Sequence, residues 1–273
     1  MYDLDRAVHE LTEGSGYCLF EDLFPADAVR ETRELIVALS DADAPKLTHF
    51  HGEHADRVDR QRRVWNLLNK GRLFEAMVQP EPVMELFARL LGCDFILGSF
   101  AANRLLPGAP GQEPHVDYPY WDLHDRGRFP LGINGSFLLN CQMTIMLDDF
   151  TAENGATACV PGSQREVRYP TREEFEARKI QVEGRAGSAM VFNGLMWHCA
   201  MPNNSKADRS ALLGQYLPKF VKPMEDQVRG VHPDVVARAS PRLRQLIGID
   251  LKYPQLLDEA EAVVDQGRYA ART

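Results

Sequence analysis

The stretch Gln112-Glu113-Pro114-His115-Val116-Asp117 decides how the rest of the chain is read. Side chains alternate along extended backbone, so His115 and Asp117 leave one face and Val116 the other. An imidazole and a carboxylate on one face are two of the three legs by which two histidines and one carboxylate hold non-haem Fe(II), with coordination positions left open. The third leg must come from elsewhere, and Met196-Trp197-His198-Cys199-Ala200 offers His198. Arg209 follows, just before the apolar run Ala211-Leu212-Leu213-Gly214-Gln215-Tyr216.

An H-x-D triplet is weak evidence alone, and the chain contains rivals in His54-Ala55-Asp56 and His51-Gly52-Glu53. Both lie in a charged run from His49 to Arg63 that reads as an exposed connection. A metal site needs ligands on a rigid scaffold. His115 follows the Pro107–Gly111 approach and precedes the β-rich half, so His115 and Asp117 are preferred.

That half is recognised by its alternation. From Phe137 to Asp149, Phe137, Leu139, Cys141, Met143, Ile145 and Leu147 share one face, and Leu138, Asn140, Gln142, Thr144 and Met146 the other. A strand with one apolar and one mixed face suits a sheet that packs on a core and lines a polar site. Further strands are expected at Tyr17–Phe20, Phe95–Leu106, Ala156–Val160, Ala189–Asn193, Trp197–Ala200 and Ser210–Leu217. Helical spacing marks residues 3–12, Pro25–Leu39, Leu67–Val78 and Pro82–Leu91, and resumes after Phe220. The expected fold is mainly β with flanking helices, as a single domain over residues 1–273 with its β core at about 95–217.

Composition sets outer bounds. The 273 residues are 44% hydrophobic and 26% charged, with a net charge of −8. An acidic average disfavours non-specific binding to nucleic acid or an anionic membrane. The five cysteines, Cys18, Cys93, Cys141, Cys159 and Cys199, include no C-x-x-C pair and read as reduced thiols. Neither a signal segment nor a membrane span is recognisable, so a cytoplasmic protein is expected.

Pro202-Asn203-Asn204-Ser205 has turn composition. A hairpin turning between Asn203 and Asn204 would make His198 and Arg209 cross-strand partners, with Cβ atoms about 5 Å apart. An inward guanidinium is costly unless paired. An internal ion pair or a path to the rim would relieve it, and so would a dicarboxylate co-substrate. One carboxylate would then meet Arg209 while a 2-oxo acid end chelates the metal, leaving a position for O2.

These residues resemble the phytanoyl-CoA dioxygenase family of Fe(II)/2-oxoglutarate-dependent oxygenases. The likeness runs through Gly16–Phe20 and Leu23–Asp27, then Pro114–Asp117, Leu147–Phe150 with Glu153–Thr157, Val160–Gln164, and Trp197-His198 through Asn203–Ser205 to Arg209. Arg63-Val64-Trp65-Asn66-Leu67-Leu68 is similar, more loosely, to members that oxidise natural products. The resemblance implies a double-stranded β-helix (a cupin-like jelly roll). It implies His115, Asp117 and His198 as iron ligands and Arg209 as the clamp on the distal carboxylate of 2-oxoglutarate. Gln112 matches a position that reaches the co-substrate in some members, and Thr144 is a candidate for its iron-side carboxylate. Related halogenating enzymes carry a small residue where this chain has Asp117, so hydroxylation, desaturation or a related oxidation is expected, with Fe(II), 2-oxoglutarate and O2.

The expected partner is a small organic molecule of the kind found among natural-product intermediates. Tyr118, Tyr120 and Trp121 are candidate substrate contacts, and residues 124–135 read as a loop over the pocket mouth. The alternatives are a cupin-like metalloenzyme that uses no 2-oxoglutarate and a non-catalytic binding module.

Overall fold

The computed structural model describes residues 2–42, 59–117 and 134–251. Its largest element is a six-stranded antiparallel sheet in the order β1 (Tyr17–Phe20), β7 (Ala189–Asn193), β4 (Cys141–Met146), β9 (Arg209–Leu217), β3 (Ile96–Leu105), β2 (Gln61–Val64). A smaller sheet has the order β6 (Ile180–Gln181), β5 (Thr157–Cys159), β8 (His198–Ala200). His115 extends it through a bridge to His198. The two sheets form the jelly roll.

The large sheet is covered on its outer side. Cys141, Met143 and Ile145 from β4, Val191 from β7 and Leu212 and Tyr216 from β9 join one buried cluster with residues of the helices Ala26–Ala42, Arg72–Met77, Glu81–Leu91 and Pro241–Ile247. The Tyr216 ring lies 4.5 Å from that of Phe87, and its hydroxyl donates to the Val78 carbonyl at 2.6 Å. The opposite side of the same strands is free to carry polar groups, and Gln142, Thr144, Gln215 and Asn103 line a cavity there. Alternation along each strand thus divides core from site.

Three expectations need correction. The strand expected from Phe137 begins at Cys141, and Phe137 itself is 65% exposed. The helix expected over Leu67–Val78 divides into a 3-10 turn at Leu67–Asn69 and the helix Arg72–Met77, because Gly71 between them is extended. The charged run ends in structure: Gln61–Val64 pairs with β3, opposite Leu105 to Ala102.

The fourth correction concerns the hairpin. β8 and β9 belong to different sheets, so His198 and Arg209 are not cross-strand partners. The chain between them crosses from one sheet to the other, and Asn203 holds the crossing. Its side-chain amide donates to the carbonyls of Leu105 (3.0 Å) and Ala207 (2.8 Å) and accepts from the Ser205 N–H at 3.0 Å. Its backbone pairs with Ala109 and Gly108. A fully buried amide replaces the ladder that a hairpin would have used. Asn203→Ala leaves buried carbonyls unsatisfied, so the unfolding free energy should fall by about 2–4 kcal/mol. Urea denaturation with an unchanged m-value checks this.

Candidate metal centre

Residues 115–117 are extended, and β8 runs antiparallel to them. His115 N–H donates to His198 O and His198 N–H to His115 O, both at 3.0 Å. Alternation then sorts the side chains. Val116, Trp197 and Cys199 pack with Ala158, Val160 and Phe175 in a buried cluster behind the small sheet. His115, Asp117 and His198 leave the other side and line the cavity. Trp197 anchors β8: its indole N–H donates to Arg168 O at 2.7 Å, and the guanidinium carbons of Arg168 and Arg178 lie 4.6 and 5.1 Å from its ring. Gly111 permits the close approach of the two segments, since a Cβ there would meet Ala200 O at 2.5 Å.

The three side chains meet. One ligand atom from each of His115, Asp117 and His198 lies within 4.8 Å of the others. His115 Nε2 is 3.6 Å from Asp117 Oδ1, and His198 Nε2 is 3.3 Å from Asp117 Oδ2. Adjacent ligands on an octahedral ion sit about 3 Å apart, so little movement is needed to share one. The second nitrogen of each ring is already committed: Nδ1 faces Glu113 O at 2.6 Å in His115 and Met196 O at 2.9 Å in His198. A carbonyl only accepts, so both Nδ1 atoms carry the proton and both Nε2 lone pairs point at the shared space. Asp117 is fixed through its backbone, donating to Gly194 O at 2.9 Å and accepting from the Asn140 side chain at 3.1 Å.

Electrostatics favour a cation. Burial alone would raise the Asp117 carboxyl, but His198, then His115, outweigh it and hold it at about 2. Burial pushes His115 down to about 4, with His198 adding to the effect. Burial lowers His198 too, but the Asp117 carboxylate overrides it and the net shift is upward. The donor set of two neutral Nε2 atoms and one carboxylate fits non-haem Fe(II).

Arg209 opens the polar end of the cavity. Its side chain is 1% exposed, its terminal nitrogen donates to Gly155 O, and its guanidinium carbon lies 4.2 Å from the Phe150 ring. Its Nε is buried without a hydrogen-bond partner. Burial lowers this guanidinium to about 9, only partly opposed by Asp148. A buried donor without a partner, on a residue that lines the cavity, suits an incoming carboxylate.

Gln112 and Thr144 line the same cavity. Gln112 Oε1 accepts from Ala200 N–H at 3.2 Å, so the oxygen is spent on the small sheet. Tyr118, Tyr120 and Trp121, most of the 124–135 loop, and both rival triplets lie outside the described residues.

Arg63 is the lining residue that sequence reading passed over. It lies across from Asn103 on β3, its Nε is buried without a partner, and burial lowers it to about 10 against the opposing pull of Asp117. Its charged neighbours carry no alternation, so nothing local marks a strand. Ser99, Ala101 and Asn103 also line the cavity. Their regular spacing opposite Phe100 and Ala102 was a usable signal.

Comparison with known proteins places the chain. It matches the phytanoyl-CoA dioxygenase (PhyH) family over residues 12–211. A Mycobacterium tuberculosis protein, Rv1501, is 32% identical over 141 residues, which cover 52% of this chain; the match spans about half (51%) of that relative's length. Dioxygenase ALT11 of Alternaria alternata is 25% identical over 272 residues, covering 92% of this chain and 84% of its own. Among solved structures, HygX from Streptomyces hygroscopicus with nickel, 2-oxoglutarate and hygromycin B has a TM-score of 0.64 at 16% identity, covering 80% of this chain and 88% of its own. The 2-oxoglutarate-dependent epimerase SnoN from nogalamycin biosynthesis gives 0.61 at 18%, covering 81% and 86%.

Fold and donor set together define a jelly-roll protein with a two-histidine, one-carboxylate group on its inner face. The chain belongs to the phytanoyl-CoA dioxygenase family.

Metal binding should titrate. A divalent ion must displace the proton that Asp117 helps His198 retain, and that proton is present below the raised His198 value. Affinity for Ni(II) should therefore fall about tenfold per pH unit below that point and level off above it. His198→Ala should weaken Ni(II) binding by at least about 100-fold at pH 7.5, both read by calorimetry.

Proposed function

We propose that the protein is an oxygenase that oxidises a small organic molecule with Fe(II), 2-oxoglutarate and O2, and that it works as a single domain built on the two sheets. The observation that carries this is one cavity holding a two-histidine, one-carboxylate set together with two buried guanidiniums.

His115, Asp117 and His198 would hold the iron. When bound, the iron couples decarboxylation of 2-oxoglutarate to succinate with O2-dependent oxidation of the substrate. The protein's share is orientation. Arg209 takes the distal carboxylate, its planar fork matching the two oxygens. Arg63, drawn by the charge of Asp117, takes the carboxylate nearer the metal, helped by the Thr144 hydroxyl and the Gln112 amide N–H groups. Phe192 and Leu213 line the same space and limit water beside the reacting atoms.

Asp117 fills a ligand position with its own carboxylate, which favours hydroxylation, desaturation or a related oxidation. The cavity beside the metal ligands supports a small-molecule substrate, which accords with a neighbour of the same fold that holds hygromycin B. Among the described residues no helix is long and apolar enough to cross a membrane.

Two measurements test this reading. Fe(II)-loaded protein should release succinate from 2-oxoglutarate faster when an accepted substrate is added, and Asp117→Ala should remove that stimulation; full stimulation in the variant takes Asp117 out of the site. Arg209→Ala should weaken 2-oxoglutarate binding to the Ni(II) form by about 30- to 1000-fold, the loss expected when one partner of a buried charge pair is cut away.

A further inference from the structure

The interior face of the large sheet is graded along its strands. Strand register sets Phe192, Gln142, Gln215 and Ser99 side by side across β7, β4, β9 and β3. This row lies at the metal centre: the Phe192 ring is 4.7 Å from that of His198, and Gln142 donates to Asn140 Oδ1 at 3.3 Å, whose amide holds Asp117. Thr144, Leu213 and Ala101 form the next row, and Asn103 sits beside Arg63 beyond them. Arg209 lies six positions along β9 from Gln215, about 20 Å of extended backbone. Arg209 and the amide row are therefore separate places along β9.

The amide end is built. β3 shifts register between Leu97 and Ser99, a bulge of the kind that re-aims side chains beside active sites. Gly98 sits in that bulge because a Cβ would lie 2.3 Å from Gln215 Oε1, so the missing side chain is what lets the carboxamide lie over the strand. Glu225 braces the bulge from outside the sheet: its N–H donates to Gly98 O at 2.9 Å, and its carboxyl accepts from Ser99 Oγ at 3.1 Å and from the Gln227 amide at 2.8 Å. Trp65 and Met224 line the cavity too, and Trp65 follows Val64, which pairs with Ala102 on the Ser99 side of Arg63.

We propose that Gln215, with Gln142 and Ser99, is the recognition platform for the primary substrate, and that this substrate is an uncharged ring-bearing molecule presenting a hydroxyl or carbonyl group. This rests on the reading above, in which the two arginines serve the two carboxylates of 2-oxoglutarate. Among the described lining residues Arg63 and Arg209 are the only arginine or lysine side chains, so an anionic substrate finds no counter-charge there. Glu225 beneath Ser99 would repel one. A carboxamide offers both a donor and an acceptor, which suits a hydroxyl or a carbonyl, and a site built for such a group strongly rejects analogues that lack it. Trp65 and Met224 supply flat and adaptable apolar walls for a ring skeleton.

The test uses the full chain loaded with Ni(II) and 2-oxoglutarate. A fragment library divided equally among neutral ring alcohols, ketones and lactones, carboxylic and phosphoric acids, and amines is screened by ligand-observed NMR, the paramagnetic ion broadening fragments seated near it. Broadened hits should fall mainly in the neutral class and lose at least tenfold in affinity in Gln215→Leu. Gln215→Glu, which keeps the shape but removes the donor, should weaken carbonyl-bearing hits similarly. 2-Oxoglutarate affinity, measured on the same samples, should stay within twofold and reports that each variant is folded. Mainly anionic hits, no broadened hits, or neutral hits equally tight in both variants overturn the proposal. Failure of the wild-type protein to bind 2-oxoglutarate would instead overturn the oxygenase reading beneath it.

Discussion

Two backbone hydrogen bonds between His115 and His198 hold the site together. With the flanking bonds from Gln112 to Ala200 and from Asp117 to Gly194, they add this segment to the small sheet and bring side chains from distant parts of the chain within reach of one another. The geometry follows from antiparallel pairing: directly opposed residues project from the same face, with Cβ atoms about 5 Å apart. A slip of one residue would turn Val116 into the cavity and bury both His115 and Asp117 against Trp197. The apolar partners of Val116 and Trp197 therefore specify the metal centre although they never touch it.

Charge is distributed along the cavity in a way that assigns its ends. The carboxylate of Asp117 sits among imidazoles, while the guanidiniums of Arg209 and Arg63 are buried with unsatisfied Nε atoms. Burial depresses both arginines, so the protein holds positive charge there at a cost. Such a cost is sustained where a ligand offsets it, and a dianion with carboxylates at both ends has the matching shape and charge. The amide row beside the metal has neither sign.

Much of the site was legible because period-two alternation carries it. His115 and Asp117 flank Val116, His198 sits between Trp197 and Cys199, and Gln142 and Thr144 alternate with Cys141, Met143 and Ile145. In each case one face had to be apolar, and the other face named itself. Arg63 was hidden for the opposite reason: Gln61-Arg62-Arg63-Val64 is an edge strand whose partner, β3, is known only once the chain folds. The Asn203 turn was recognised for its composition but not for its geometry. A buried asparagine that bonds two carbonyls can support a crossing between sheets as readily as a hairpin, and nothing within residues 202–208 distinguishes the two.

The crossing has a consequence that a hairpin could not have. In a two-stranded ladder Arg209 would emerge beside His198, and its guanidinium would sit next to the metal and compete with it for the Asp117 carboxylate. Starting β9 in the other sheet instead places Arg209 over Phe150 and against Gly155 O. Phe150 holds the guanidinium plane from below without satisfying its Nε, so the direction is fixed while a donor remains available. Position and unmet hydrogen bonding thus come from the same backbone route, and the loop at 201–208 sets both.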